Sequence, residues 1–390
     1  MNENGFSGGW VEARLGTVTA TGAPIGYGIV QPGPHVQDGI PMIAVRDLTE
    51  IMLRRLHRTS ILVEANYKRS RVEPGDVLIS VKGTTGRIGI VPLNVAGNIS
   101  RDVARIRLGV GQDPEFWLQL LRSSNAQKTL QQSGVGSTRQ ELSIGNLRKL
   151  SFSHPQLSEQ HAIAGALKDA DRQVSAIERL ISKKRSFKRG LMQELLTGQT
   201  RLPGSNGRWQ AFSISDLATI VKGQQLGRAE MNANGGVEVW NGGIEPSGFT
   251  DVSNTFHTVV TISEGGNSCG WVGQPQSGFW LGGHCYALTP KWLGLPVQFL
   301  YQALKLREPD LMALRVGSGL PNIQKRALSE FIVRVPLDMN EAGRIGDILK
   351  DADTEIAALE RRLESGRAVK QGMMQELLTG RTRLLVEVAT

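Results

Sequence analysis

Residues 167–202, LKDADRQVSAIERLISKKRSFKRGLMQELLTGQTRL, recur 182 positions later as residues 349–384, LKDADTEIAALERRLESGRAVKQGMMQELLTGRTRL, with more than half of the positions identical. An internal repeat constrains the architecture before any single motif does. Both copies read as long helices. In the first, Ile163, Leu167, Ala170, Val174, Ile177 and Ile181 advance in steps of four and three, the spacing of a heptad seam. The seam meets Lys184 and resumes at Phe187, Leu191 and Leu195. The second copy runs Ile345, Leu349, Ala352, Ile356, Leu359, Leu363, is interrupted at Gly366, and resumes at Val369, Met373 and Leu377. The change of step is a stutter, which relaxes supercoiling locally. Each seam is narrow and needs a partner, and the other copy is the nearest. Roughly 40 residues at ~1.5 Å each give a rod of about 60 Å.

The helix boundaries carry local signals. Pro155 precedes Ser158, placed as an N-cap, and Asp338 with Glu341 has capping-box spacing after Pro336. Both copies end in Leu-Leu-Thr-Gly, which places Gly198 and Gly380 as left-handed terminators. Gly190 and Gly372 lie at equivalent places inside the helices and cost about 1 kcal/mol each against alanine. Two explanations stand side by side: close approach of another backbone, or a relic of duplication.

The repeats divide the chain into residues 1–156, a helix over 157–202, residues 203–337, and a helix with tail over 338–390. The two remaining segments barely resemble each other, yet share their edges. Trp10 and Trp209 each open one, and Val135-Gly136-Ser137 matches Val316-Gly317-Ser318. Both read as short strands and turns. The first has strands at 77–82 and 88–91 around a Gly83-Thr84-Thr85-Gly86 turn, then a helix over 114–130. The second has strands at 237–240, 259–262, 270–272, 279–281 and 286–288, then a helix over 297–306. The fold class is therefore α+β, two globular domains each followed by a long helix.

The formal net charge is +9. Residues 1–156 carry 18 basic and 12 acidic side chains, and 157–202 carry 9 and 5. Residues 203–337 carry 10 and 9, and 338–390 carry 8 and 10. The excess lies in the first half and fits a polyanion partner. The N-terminal sequence does not read as a signal peptide, and no apolar run approaches the ~18 residues of a membrane span. Cys269 and Cys285 have neither metal spacing nor a disulfide framework, so the expected compartment is a reducing cytoplasm, with no membrane partner.

Several chemistries have no motif here. No Asn/Asp-Pro-Pro-aromatic motif is present to grip a flipped base, and no glycine-rich loop for a methyl donor. No G-x-x-x-x-G-K-[ST] loop binds ATP. Asp76 and Lys82 imitate a metal-dependent nuclease poorly and read as a turn aspartate and a strand-end lysine. His257, Cys269, His284 and Cys285 have the wrong spacing for zinc. No catalytic residue, cofactor site or metal site is expected in this chain.

The duplicated helix ending in QELLTG resembles that of the specificity subunit of type I restriction–modification systems. So do the tandem architecture, Gly26-Tyr27-Gly28-Ile29-Val30-Gln31-Pro32-Gly33 and Pro74-Gly75-Asp76-Val77-Leu78-Ile79-Ser80. Thr261-Ile262-Ser263 with Phe279-Trp280-Leu281-Gly282-Gly283 is similar to a second kind of target-recognition domain in that family. The resemblance covers the whole chain. It implies two recognition domains, each reading half of a bipartite site in double-stranded DNA. It also implies that the two helices pack as an antiparallel coiled coil, set the gap and hold two modification (methyltransferase) subunits. Restriction and translocase subunits would join through the complex. S-adenosylmethionine, ATP and magnesium would belong to those partners.

Base reading favours Arg, Lys, Asn and Gln on rigid loops, and phosphates take Arg, Lys, Ser and Thr. In the first domain these are Arg46, Lys68, Arg69, Arg71, Lys82, Thr84, Thr85, Arg87, Arg101, Ser137, Thr138, Arg139 and Gln140. In the second they are Lys222, Gln224, Gln225, Arg228, Asn241, Asn267, Ser318 and Gln324. The run Lys183, Lys184, Arg185, Lys188 and Arg189 reads as a solvated face, a phosphate contact or a docking surface. The alternatives to a DNA-recognition scaffold are a self-contained methyltransferase or nuclease with unfamiliar motifs, and a purely structural coiled-coil adaptor.

Overall fold

The structure is a computed structural model that describes residues 9–52, 55–134, 141–291, 294–317 and 319–384, apart from the side chain of Arg228. The first globular segment opens with β1 (Val11–Arg14), β2 (Gly26–Tyr27), β3 (Ile40–Ile43), β4 (His57–Thr59) and α1 (Ile61–Glu64). It continues with β5 (Val77–Ser80), β6 (Ile88–Ile90), β7 (Asn98–Ile99) and β8 (Val103–Ile106). It closes with α2 (Pro114–Arg122), α3 (Ser124–Gln132), α4 (Ile144–Lys149) and β9 (Ser151–His154), and the long helix α5 (Leu157–Leu196) follows. The second segment opens with β10 (Trp209–Ser213), α6 (Ile214–Leu217), β11 (Ala218–Lys222), β12 (Val237–Trp240) and β13 (Gly248–Thr250). Then come β14 (Val260–Ser263), β15 (Val272–Gly273), β16 (Trp280–Leu281) and β17 (Cys285–Pro290). It ends with α7 (Val297–Leu306), α8 (Glu308–Ala313), α9 (Lys325–Glu330) and β18 (Ile332–Pro336), ahead of the long helix α10 (Met339–Leu377).

The two segments, so unlike in sequence, follow one strand order. In the first, sheets run β2-β8-β5-β6 and β4-β3-β7; in the second, β11-β17-β14-β15 and β13-β12-β16. Each has one parallel pair, β3 with β7 and β12 with β16. Each is closed by an antiparallel ribbon of its first and last strands, β1 with β9 and β10 with β18. The alternation read at 77–82 becomes a central strand. Val77 and Ile79 join one core with Phe116 and Trp117, while Leu78 joins another with Ile43, Leu48 and Ile99. The helix expected over 114–130 is two helices. Ser123 is extended, and its hydroxyl caps α3 by accepting from the Ala126 N–H, so a capping serine breaks the run. The strand expected at 270–272 lies two residues later, because Gly270 turns with φ +92°.

The chain forms two compact units, residues 1–176 with 363–390, and residues 177–362. Each unit therefore takes one globular segment and half of each long helix. Within each, the helices run antiparallel. In the first, Asp171 meets Lys370 and Glu159 meets Arg383. In the second, Lys188 meets Asp353 and Arg201 meets Glu341. The seams are buried differently from a simple helix pair. Ile163, Ala164 and Leu167 of α5 and Leu377 of α10, with Leu378 just beyond it, enter the core of the first segment. Met192, Leu195 and Leu196 of α5 and Ala342, Ile345 and Leu349 of α10 enter the core of the second. Phe187 and Val369, read as seam positions, are 61% and 59% exposed. The repeated helix is thus anchored at its two ends by globular cores.

The helix ends also differ in part from expectation. Ser158 lies inside α5 instead of capping it, and the Pro155 carbonyl accepts from the Gln160 side chain at 2.8 Å. Asp338 does cap α10, accepting from the Asn340 N–H at 3.0 Å. Glu341 does not complete the box, because Arg201 takes both of its oxygens at 2.7 Å. Gly198 and Gly380 end their helices at φ +73° and +71°. An added Cβ there would lie 3.1 Å from the Trp209 ring and 3.0 Å from the Trp10 ring, respectively. Gly190 and Gly372 meet no backbone: an added Cβ at either would face open space.

Candidate nucleic-acid interface

In the first unit the surface is organised by a backbone weld. A Cβ on Gly28 would fall 1.8 Å from the Ile99 carbonyl oxygen, so only glycine lets residues 26–31 lie against residues 98–101. The Arg101 N–H donates to the Ile29 carbonyl, and the Ile29 N–H to that of Ile99. Beside the weld, the buried Asn98 amide donates to Glu64 and to the Tyr67 carbonyl, both at 3.0 Å. Glu64, also buried, is gripped by Arg71 through both oxygens at 2.6 and 2.7 Å. The Arg71 hydrogen bond holds the Glu64 carboxyl below its ordinary pKa, against the effect of burial. This network fixes the connection from β4 to β5 and leaves Asn66, Lys68 and Arg69 on its outer side, exposed.

The second unit repeats the weld with other side chains. A Cβ on Gly223 would lie 2.2 Å from the Gly282 carbonyl oxygen. The Gln224 N–H donates to the Leu281 carbonyl, and Trp280 Nε1 donates to the Gln224 carbonyl. Asn241 Oδ1 accepts from the His284 N–H at 3.0 Å, which ties the turn after β16 to that after β12. Glu264 is a hub: Lys222 Nζ lies at 2.7 Å and the Tyr286 hydroxyl at 2.8 Å, and its carbonyl accepts from the Ile323 N–H.

The expected DNA residues fall into groups. Lys222, Gln224, Gln225 and Asn241 converge around the turn at 281–285, and Gln324 follows directly on the Ile323 anchor. Arg101 stands beside the weld in the first unit, with Lys68 and Arg69 on the neighbouring connection. Arg46 is exposed on the turn after β3, and Arg87 is exposed at the start of β6. Thr84 and Thr85 form the turn before it, where the Thr84 carbonyl accepts from Ser80. Asn267 and Gln324 are exposed. Five of these cations are paired: Arg71 with Glu64, Lys82 with Glu141 and Lys222 with Glu264 at 2.6–2.7 Å, and Arg46 and Arg101 more loosely with their chain neighbours Asp47 and Asp102 at 3.8 and 3.5 Å. Ser137, Thr138, Arg139, Gln140, Ser318 and the Arg228 side chain lie outside the described residues. Asp76 accepts from the Glu73 N–H and from Arg107, as a turn aspartate does.

The residues expected at the interface are all polar, and the structure adds an apolar feature. The β4–β5 connection exposes Ile61 and Leu62, the latter at 84%. The corresponding β13–β14 connection exposes Val252 and Phe256, the latter at 74%. Large apolar side chains inside polar turns were the available signal. On a DNA-facing loop such groups can contact thymine methyls or unstack a base step.

The helices offer a second surface, present in each unit. In the second unit, Arg189, Met192 and Gln193 of α5 face Lys305, Leu306, Glu308 and Pro309 across a groove of about 1100 Å³. In the first, Gln371, Met374 and Gln375 of α10 face Arg122, Ser123, Asn125 and Ala126 across about 720 Å³. These are the same positions of the repeated helix. The basic run on α5 is partly paired within the chain: Lys184, Arg185 and Lys188 pair with Glu355, Glu360 and Asp353 of α10. Pairing with the antiparallel helix was not among the explanations the run itself suggested.

Sequence comparison finds the type I restriction modification DNA specificity domain twice, at residues 34–184 and 206–365. The type I restriction enzyme EcoBI specificity subunit of Escherichia coli is 33% identical over 233 residues, 58% of this chain and 49% of that protein. A putative type I specificity subunit of Mycoplasma genitalium is 29% identical over 176 residues, 45% of this chain and 46% of that one. The matched part thus spans about half the length of these relatives. Among solved structures, a type I restriction–modification S subunit from M. genitalium matches with a TM-score of 0.69 at 17% identity, over 97% of both chains. The HsdS subunit from Thermoanaerobacter tengcongensis matches with a TM-score of 0.51 at 20% identity, over 97% of this chain and 98% of that one. These two likenesses bear on the fold, and the doubled domain match decides the family: this chain belongs to the type I restriction–modification DNA specificity proteins.

Proposed function

We propose that this chain reads a split site in double-stranded DNA, one half with residues 1–156 and the other with residues 203–337, and performs no catalytic step itself. The observation that carries this reading is one strand order used twice with different side chains on its outer turns. A shared scaffold with exchanged surface groups suits two readers of different sequence. The exposed cations and amides of residues 66–69, 101, 224–225, 267 and 324 would supply base and phosphate contacts. The helix pair would set the gap between half-sites. The two equivalent grooves support docking of two copies of one partner, the modification subunits, with restriction and translocase subunits joining through them. S-adenosylmethionine, ATP and magnesium would be held by those chains.

The test is exchange and extension. Replacing residues 203–337 with the matching part of a related subunit should change one half of the methylated site and leave the other intact. Inserting four residues into each helix, after Ala176 and after Arg362, adds about 6 Å and about 40° past whole turns. At ~3.4 Å per base pair, the preferred gap should lengthen by one or two base pairs. Both halves changing together, or an unchanged gap, would reject the corresponding part of the reading. Calorimetry showing stoichiometric binding of S-adenosylmethionine by the isolated chain would reject its non-catalytic role.

A further inference from the structure

Each unit contains the same three-body polar contact at equivalent positions. In the first, Gln119 Nε2 of α2 donates to Asp171 Oδ2 of α5 at 2.8 Å, and Lys370 Nζ of α10 lies 2.6 Å from Asp171 Oδ1. In the second, Gln302 Nε2 of α7 donates to Asp353 Oδ2 of α10 at 2.7 Å, and Lys188 Nζ of α5 lies 2.5 Å from Asp353 Oδ1. Each contact joins a helix of the globular segment to both long helices at once. The aspartate and lysine come from the repeat, at 171 and 353 and at 188 and 370. The glutamines come from segments that have otherwise diverged, PEFWLQLLR and VQFLYQALKL.

The glutamines are costly. Both are buried, and the Oε1 of each has no partner. An unpaired buried acceptor opposes folding, and an apolar residue of the same size would avoid it. The apolar cores around them cannot supply what the amide supplies. Contacts between leucines and isoleucines tolerate a small axial slide, whereas a hydrogen bond to a fixed carboxylate does not. A buried polar group that selects register at a cost in stability has precedent in helix pairs.

We propose that Gln119–Asp171–Lys370 and Gln302–Asp353–Lys188 are positioning residues that fix the axial register of each globular segment on the helix pair, and so decide which gap in the DNA site is accepted. This rests on the reading of the helix pair as the ruler of a split site. The amide locks the segment to the aspartate, and the lysine locks the aspartate to the antiparallel helix.

The test uses the full chain assembled with its modification subunits and a DNA library with fixed half-sites and gaps stepped by one base pair. Gln119→Met and Gln302→Met keep the volume and remove both the donor and the unpaired Oε1. The variants should melt no lower than the parent, yet methylate sites one base pair off the preferred gap about tenfold more, a change of about 1.4 kcal/mol. Asp353→Asn, which keeps an acceptor for Gln302 but loses the charge facing Lys188, should show a smaller change in the same direction. If a methionine variant fails to assemble, the asparagine variant decides. Assembled variants with the parent's gap selectivity would overturn the proposal. A parent without a preferred gap would instead overturn the ruler reading beneath it.

Discussion

The two units solve the same packing problem, and they differ where their outer turns are held. In the first, the connection from β4 to β5 is sealed by charge: buried Glu64 pairs with Arg71 and takes the Asn98 amide. In the second, the connection from β13 to β14 is sealed by a neutral amide. Asn254 Oδ1 accepts from the Leu281 N–H at 2.7 Å, and Asn254 Nδ2 donates to the Leu281 carbonyl at 3.1 Å. The polar contacts of the frame behave in the opposite way and are kept, both between the two long helices and their ends and inside each globular segment. Glu159–Arg383 and Glu341–Arg201 are the same pair in each unit, and Arg122 and Lys305 each donate to a carbonyl at the edge of the sheet, Ile88 and Val272. The frame is therefore shared down to individual polar contacts, while the surface above it differs between the units.

Equivalence of the frames is tested most severely in the cores. Phe116 of α2 and Phe299 of α7 are both completely buried. Phe116→Ala and Phe299→Ala should each destabilise its own unit by about 3–5 kcal/mol, read by hydrogen exchange resolved along the chain. A large loss in one unit beside a small loss in the other would break the comparison.

The welds come next. Gly28→Ala and Gly223→Ala force a Cβ against a carbonyl oxygen, and overpacking of this kind costs about 1–3 kcal/mol. Each should weaken DNA binding through its own half-site alone, measured with sites in which one half is scrambled. Equal weakening on both scrambled sites would show that the turns do not act as separate readers.

The smallest effect sharpens the difference. The folded-state pKa of Glu64 is lowered, chiefly by its Arg71 hydrogen bond. Its stabilisation is therefore complete above the unfolded carboxylate value of about 4.3 and is lost as pH falls through the lower folded value. Exchange rates in the β4–β5 connection should rise on acidification below about pH 4.3, with no matching rise in the β13–β14 connection. Glu64→Gln should flatten that response. A response of equal size in both connections would remove the distinction between charged and neutral seals.

Much of the frame was legible because its signals are local. Leu-Leu-Thr-Gly ends both helices, since a left-handed residue at that point needs glycine whatever surrounds it. The helix over 297–306 matches α7, whose apolar positions repeat at helical spacing. Ser123 was misread because a capping serine inside an apolar run carries no sign of whether the run bends there. The residues expected at a nucleic-acid interface were only partly legible. Arg71, Lys82 and Lys222 look like free cations in sequence, and their carboxylate partners are 7, 59 and 42 residues away.

The sequence alone determined that the chain is a duplication, where its long helices lie and end, and which residue types its turns offer. Those properties follow from period, caps and composition, which act over a few residues. Only the tertiary structure decided that two unlike segments share one strand order, and that the ends of the repeated helices sit in globular cores. It also decided that most of the α5 basic run answers acids on α10. The strand pairs join residues tens of positions apart, and the α5–α10 pairs join residues 165 to 175 apart, where distance along the chain carries no information about distance in space.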